Sequence, residues 1–230
     1  MHIFQEWFHE MSKAFSDLPS KFHEVVKDPM VILALVGLLL IFLAFFKARK
    51  VKFNARMLTS IAIALALSTI LDLLRLFHFP QGGDITLGAM LPILLITFAY
   101  GKEVGFITGF LYGFIALITD PYILQPIQVL FDYPLPGIAM GVAGFFMERR
   151  QFGTIVAFFF AFLAHFISGV AFFGSSAPAG MNVFIYSIVY NIPYLVGNMI
   201  ICMILLKLLP VERLLKIINP NYISRKSIRK

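Results

Sequence analysis

The sequence predicts an all-α integral membrane protein that crosses the bilayer several times. Three observations predict it. Of 230 residues, 60% are hydrophobic and only 13% charged, with a mean hydropathy of +0.87. The apolar residues gather in long runs, and the connections between runs alternate between Lys/Arg-bearing and Lys/Arg-free. A soluble domain has too little interior for this much Leu, Ile and Phe. The net charge of +7 and the pI of 9.6 arise from short basic clusters between apolar runs. Topology signals are distributed in that way, so no nucleic-acid partner is expected.

Taken in order, residues 1–29 mix acids and bases without the layout of a signal peptide, and are expected to be retained. Phe4, Trp7, Phe8, Met11 and Phe15 recur at near-helical spacing, which suits either an amphipathic helix lying on the membrane or a plain extension. Seven apolar runs follow, at 30–46, 57–77, 85–100, 104–119, 123–147, 152–173 and 183–209. The third and fourth would reach only about 24 Å as helices, short of the roughly 30 Å hydrocarbon core. Short helices beside polar loops point to a cavity or a locally thinned bilayer.

Lys47, Arg49, Lys50, Lys52 and Arg56 fill the first connection, Lys102 the third, and Arg149 and Arg150 the fifth. Lys207, Arg213, Lys216, Arg225, Lys226, Arg229 and Lys230 supply the end. These ends should face the cytoplasm. The connections around 80–84, 120–121 and 174–181 contain no Lys or Arg and should face outward, as should the N-terminus by alternation. The chain thus divides into an extension at 1–29, a first transmembrane helix at 30–46, a bundle at 47–209 and a basic cytoplasmic tail at 210–230. The single cysteine, Cys202, lies in an apolar run, which excludes a disulfide framework and a cysteine metal site.

Ionisable residues inside membrane segments are costly and therefore candidates for function. Asp72 and Arg75, three apart near the outer end of the second run, are expected to form a local ion pair. Tyr122, Gln125, Gln128 and Asp132 fall at intervals of 3, 3 and 4 on one predicted helical stripe, with Tyr133 beside it. Pro134 and Pro136 should break the helix just after Asp132. A polar stripe of this kind is interhelical glue, a wet interfacial segment or a ligand site, and the break beside Asp132 favours the ligand site. His165, alone in its helix, reads by itself as a hydrogen-bonded interior residue. Tyr186, Tyr190 and Tyr194 recur every four residues with Asn191 adjoining. Together these groups suit a flat, cationic or aromatic small molecule: the rings stack on it and attract positive charge, Asp132 pairs with it, and Asn191 and His165 orient it. No hydrolase, metalloprotease or phosphate-loop motif is present, so no enzyme activity and no cofactor are expected. There is no file of polar residues along several helices for ion conduction.

Four segments resemble the thiamine-specific S-component of energy-coupling factor (ECF) vitamin transporters, over roughly 56–209. They are Pro80-Gln81-Gly82-Gly83-Asp84-Ile85-Thr86-Leu87-Gly88, Gln125 to Tyr133, His165 to Gly174, and Tyr186-Ser187-Ile188-Val189-Tyr190-Asn191. The resemblance implies a six-helix S-component bundle, here with one extra N-terminal transmembrane helix at 30–46. It implies a prokaryotic cell-membrane protein that binds thiamine from outside and works with a transmembrane coupling subunit and two cytoplasmic ATPases. It further implies that Asp132 is the acidic ligand, with Tyr122, Tyr133, His165, Tyr186 and Asn191 as polar contacts and Phe173 as the stacking ring. Ala62 and Ala66 are similar to the family's small-residue contact for the coupling subunit. The sequence departs from the pattern in carrying Asp132 where Glu is expected and Phe173 where Trp is frequent. The shorter carboxylate requires a bridging water or a shifted helix, or a related vitamin as ligand.

Overall fold

The computed structural model describes residues 51–222. The extension at 1–29, the helix expected at 30–46 and the end of the basic tail lie outside the described residues.

Helix α1, Ala55–Leu73, opens on Asn54, whose side chain accepts the Met57 N–H at 2.9 Å and caps the first turn. Only Ile61, Ala64 and Ser68 are buried, Met57 and Leu65 pack partly against the core, and most of the remaining apolar surface faces outward, as on a lipid-facing span. The helix stops short of Phe77. Arg75–His78 (β1) pairs antiparallel with Asp84–Thr86 (β2), with His78 opposite Asp84 and Arg75 opposite Thr86. This hairpin corrects the all-α expectation and shortens the runs expected at 57–77 and 85–100. Its turn needs positive φ at Gly82 (85°) and Gly83 (89°), which glycine supplies without steric cost.

Helix α2, Leu91–Tyr100, is buried at eight of its ten residues. At roughly 15 Å it cannot cross the bilayer by itself, and it is covered by its neighbours instead. Helix α3, Lys102–Thr119, carries Gly105, Gly109 and Gly113 on one stripe. A Cβ at Gly109 would strike the Gly137 backbone, and one at Gly113 would lie 2.5 Å from the Tyr133 carbonyl. These glycines therefore set how closely the next segment packs.

That segment was expected as one span with a break after Asp132. It is built as α4, Pro126–Asp132, then α5, Pro134–Ala139, then a 3-10 stretch at Met140–Phe146. The break falls at Tyr133, before Pro134, as expected. Helix α6, Arg150–Phe172, and α7, Val183–Leu208, are the long spans, α7 continuing through Pro193. Helix α8, Val211–Ile218, lies in what was expected to be tail. It buries Val211 and Leu215, and Asn219 Nδ2 donates to the Ala99 carbonyl at 2.8 Å, so this segment is docked on the bundle.

Among the described residues, five helical stretches are long and apolar enough to cross a membrane: α1, α3, the α4-to-3-10 stretch, α6 and α7, with α2 as a shorter sixth apolar helix. The core joins Ile93, Leu94 and Phe98 of α2 to Ala157 and Phe158 of α6 and Cys202 of α7.

Candidate ligand-binding site

The hairpin, the α3–α4 loop, the α4/α5 break, α6 and α7 converge on one cavity of about 200 Å³. It lies below the roughly 300–1,000 Å³ usual for ligand pockets, which suits a small molecule rather than a peptide. Among the described residues, the lining holds four carboxylates, Asp72, Asp84, Asp120 and Asp132, with six tyrosines, and neither Lys nor Arg.

Asp132 is the last residue of α4, and its side chain is 17% exposed. Gln128 Nε2 donates to its Oδ2, and His165 Nδ1 lies 3.4 Å from its Oδ1. Gln128 is fully buried. Its Oε1 accepts the Leu124 N–H at 2.9 Å and its Nε2 donates to the Tyr122 carbonyl at 3.0 Å. One side chain therefore ties the α3–α4 loop to the carboxylate. Tyr133 works in parallel, donating to the Asp120 carbonyl at 2.9 Å and accepting the Tyr122 N–H at 2.6 Å. The Tyr122 ring is thereby held stacked on Phe173, with centroids 5.9 Å apart and planes 21° apart.

On α7, Asn191 is buried. Its Nδ2 donates to the Ser187 carbonyl at 2.8 Å, and its Oδ1 accepts the Tyr194 hydroxyl at 2.7 Å. The Tyr194 ring meets His165 edge to face at 5.7 Å. Gly169 of α6 permits this approach, since a Cβ there would collide with the Ser187 side chain. Tyr190 accepts the Gln81 N–H at 2.7 Å and donates to the Gly82 carbonyl at 3.0 Å. Asn198 donates to the Asp84 carbonyl at 2.6 Å and accepts from Thr86 N and Oγ1, both at 3.0 Å. Together these two side chains fasten the hairpin to α7.

Of the residues singled out from sequence, Tyr122, Gln128, Asp132, Tyr133, His165, Phe173, Tyr186 and Asn191 line the cavity, and Gln125 does not. Helix α4 begins only at Pro126, so Tyr122 and Gln125 precede it and the four-residue helical stripe does not form. The expected Asp72–Arg75 pair is also replaced. Arg75 lies in β1, 3.3 Å from Asp84 and 2.6 Å from Asp120, while Asp72 receives the Tyr112 hydroxyl. Tyr112, Asp120 and Asn198 are cavity residues that sequence reasoning did not single out, while Asp72 was expected only as a partner of Arg75 and Asp84 only as part of the segment at 80–88. For Asn198 a signal existed, because it continues the four-residue spacing of Tyr186, Tyr190 and Tyr194.

Residues 58–218 match the thiamine transporter protein family, Thia_YuaJ. The chain belongs to this family. It is a family of transporters rather than enzymes, and this agrees with the sequence expectation. The thiamine transporter ThiT of Bacillus subtilis (strain 168) is 36% identical over 180 residues, which cover 69% of this chain and 93% of the relative. ThiT of Lacticaseibacillus paracasei is 28% identical over 122 residues, covering 44% and 61% of the two chains. The solved structure of ThiT from Listeria monocytogenes superposes with a TM-score of 0.64 at 23% identity, covering 71% of this chain and 97% of that one, which supports the fold. The family match begins at residue 58, so the extension and the expected first helix lie outside it.

Proposed function

We propose that this chain is the thiamine-capture subunit of an ECF-type transporter, taking the vitamin from outside the bacterial cell for ATP-driven uptake by partner subunits. The observation that carries this reading is the cavity. It is small, lined by tyrosine and phenylalanine rings, and contains four carboxylates without a Lys or Arg among the described residues. Such a lining attracts a flat cation and repels an anion. Thiamine carries a positively charged thiazolium ring joined to a pyrimidine.

In this reading Asp132 is the counter-ion of the thiazolium, with His165 and Gln128 fixing its carboxylate. Phe173 and Tyr122 supply the ring surface, and Tyr186, Asn191 and Tyr133 complete the polar contacts. Gln125, outside the cavity, has no contact with the vitamin. The hairpin forms one side of the cavity, and in this reading Lys102, Arg149, Arg150, Lys207, Arg213 and Lys216 mark the opposite, cytoplasmic end together with the C-terminus. Ala62 and Ala66 are exposed on α1, four residues apart. They give the membrane coupling subunit a flat surface for close approach, and lipid covers the remaining apolar face. Two ATPases bound to the coupling subunit supply the energy, so this chain needs no nucleotide site.

A vitamin panel tested by thermal unfolding of the purified chain checks the proposal, because only a ligand of the folded state raises its stability. Thiamine should give the largest shift. A larger shift with a precursor or another vitamin would reassign the ligand. No shift with any would favour a membrane scaffold without a small ligand.

A further inference from the structure

The four cavity carboxylates differ in their partners. Asp84 and Asp120 share the Arg75 guanidinium, at 3.3 and 2.6 Å, and Asp84 also meets His78 Nδ1 at 2.6 Å. Asp132 is held by Gln128 and His165. Asp72 stands apart: it forms no ion pair among the described residues, although Arg75 follows it by three positions, and its hydrogen-bond partner is the Tyr112 hydroxyl. It projects from α1, a spanning helix, where a charge without a function is costly. A carboxylate accepts about four hydrogen bonds, and Tyr112 fills one. Four residues earlier on the same face, Ser68 is fully buried with a hydroxyl that has no partner. The walls of the cavity thus carry, besides Asp132, a second carboxylate with acceptor capacity to spare and no ion pair among the described residues.

We infer that Asp72, oriented by Tyr112, is a second ligand-binding carboxylate of the cavity, accepting a hydrogen bond from a donor group of the molecule whose cationic ring lies against Asp132. The inference rests on the thiamine reading. Thiamine carries two donors remote from its charge, the amine N–H of the pyrimidine and the O–H of the hydroxyethyl arm, and either provides the required chemistry. Tyr112 is then a positioning residue, since its hydroxyl fixes one carboxylate oxygen and leaves the other for the ligand.

The test uses the full chain and three ligands: thiamine, oxythiamine (amine replaced by oxygen) and the deoxy analogue lacking the hydroxyl. Asp72→Asn keeps the shape and still accepts from Tyr112. It is expected to weaken thiamine about tenfold or more, the scale of a charge-assisted hydrogen bond. For the analogue that lacks the group bound at Asp72, its affinity should change less than about threefold, and which analogue that is identifies the donor. Tyr112→Phe, which keeps the carboxylate but removes the group that orients it, should reduce the wild-type preference for thiamine over that analogue. An equal loss for all three ligands, no loss for any, or an unchanged preference in a folded Tyr112→Phe chain would overturn the inference. Should Asp72→Asn fail to fold, Tyr112→Phe measured with all three ligands decides: a smaller loss for one analogue than for thiamine supports the inference, and an equal loss or none overturns it. Failure of the thiamine reading is separately visible, because the wild-type chain would then not bind thiamine at all.

Discussion

Replacing Asp132 by Asn isolates the charge of the proposed counter-ion from its shape. In the folded chain one carboxylate oxygen accepts from Gln128 Nε2, and the other lies 3.4 Å from His165 Nδ1. An asparagine can meet both, its Oδ1 accepting from Gln128 and its Nδ2 donating to His165 when the imidazole proton is on Nε2. The unliganded variant should therefore unfold near the wild-type temperature. The ligand, by contrast, loses a charge-assisted interaction at a site only 17% exposed, where solvent screens little. That loss is about 1.5–3 kcal/mol, or about 10- to 150-fold in Kd. Calorimetric titration of both chains with thiamine reads the ratio. A Kd within about threefold of wild type, with the fold intact, would refute Asp132 as the counter-ion.

The other predictions concern the walls around that carboxylate. Gly169→Val would place its Cβ about 2.9 Å from Ser187 Cβ and 3.3 Å from Asn191 Nδ2; overpacking of this kind costs about 1–3 kcal/mol. Thermal unfolding in detergent should show the loss, and adding Ser187→Gly should recover part of it. Asn198→Leu removes the acceptor for Thr86 N and the donor to the Asp84 carbonyl. Amide exchange should accelerate in the hairpin while α1 is unchanged, and equal exchange in the hairpin would show that Asn198 does not fasten it. Phe173→Ala deletes the ring stacked on Tyr122, a contact worth about 0.5–1.5 kcal/mol beyond area. Thiamine affinity should fall at least about twofold, and an unchanged affinity would remove Phe173 from the ring surface. Ala62→Trp with Ala66→Trp should leave thiamine binding intact and reduce co-purification with the coupling subunit; undiminished co-purification would move that contact off α1.

The spans were legible in the sequence because apolar length and loop charge are local properties that the bilayer reads directly. The hairpin was not. Leu76, Phe77 and Ile85 are as apolar as the neighbouring helices, and only Pro80, Gly82 and Gly83 signalled a turn. The break after Asp132 followed from Pro134, yet the same rule applied to Pro126 would have placed Gln125 in extended backbone, where it is found at φ −151°, ψ 150°. The helical spacing of 122–132 runs across a helix start that Pro126 marks. The Arg75 partnership lay beyond local reading. Asp120 is 45 residues away, and its proximity depends on the hairpin folding back over the α3–α4 loop. The site was legible to the extent that its residues recur at helical spacing within one element, as on α7. It was hidden where two elements each contribute one group, as for Asp72 and Tyr112.

The most direct test of the account is calorimetric titration of the purified full chain with thiamine, alongside an anionic vitamin of similar size. A saturable one-to-one isotherm at micromolar or lower thiamine, with no heat from the anionic vitamin, is the predicted result. An absence of saturation by thiamine, or equal binding of both, would contradict a cavity whose carboxylates select a cationic ring.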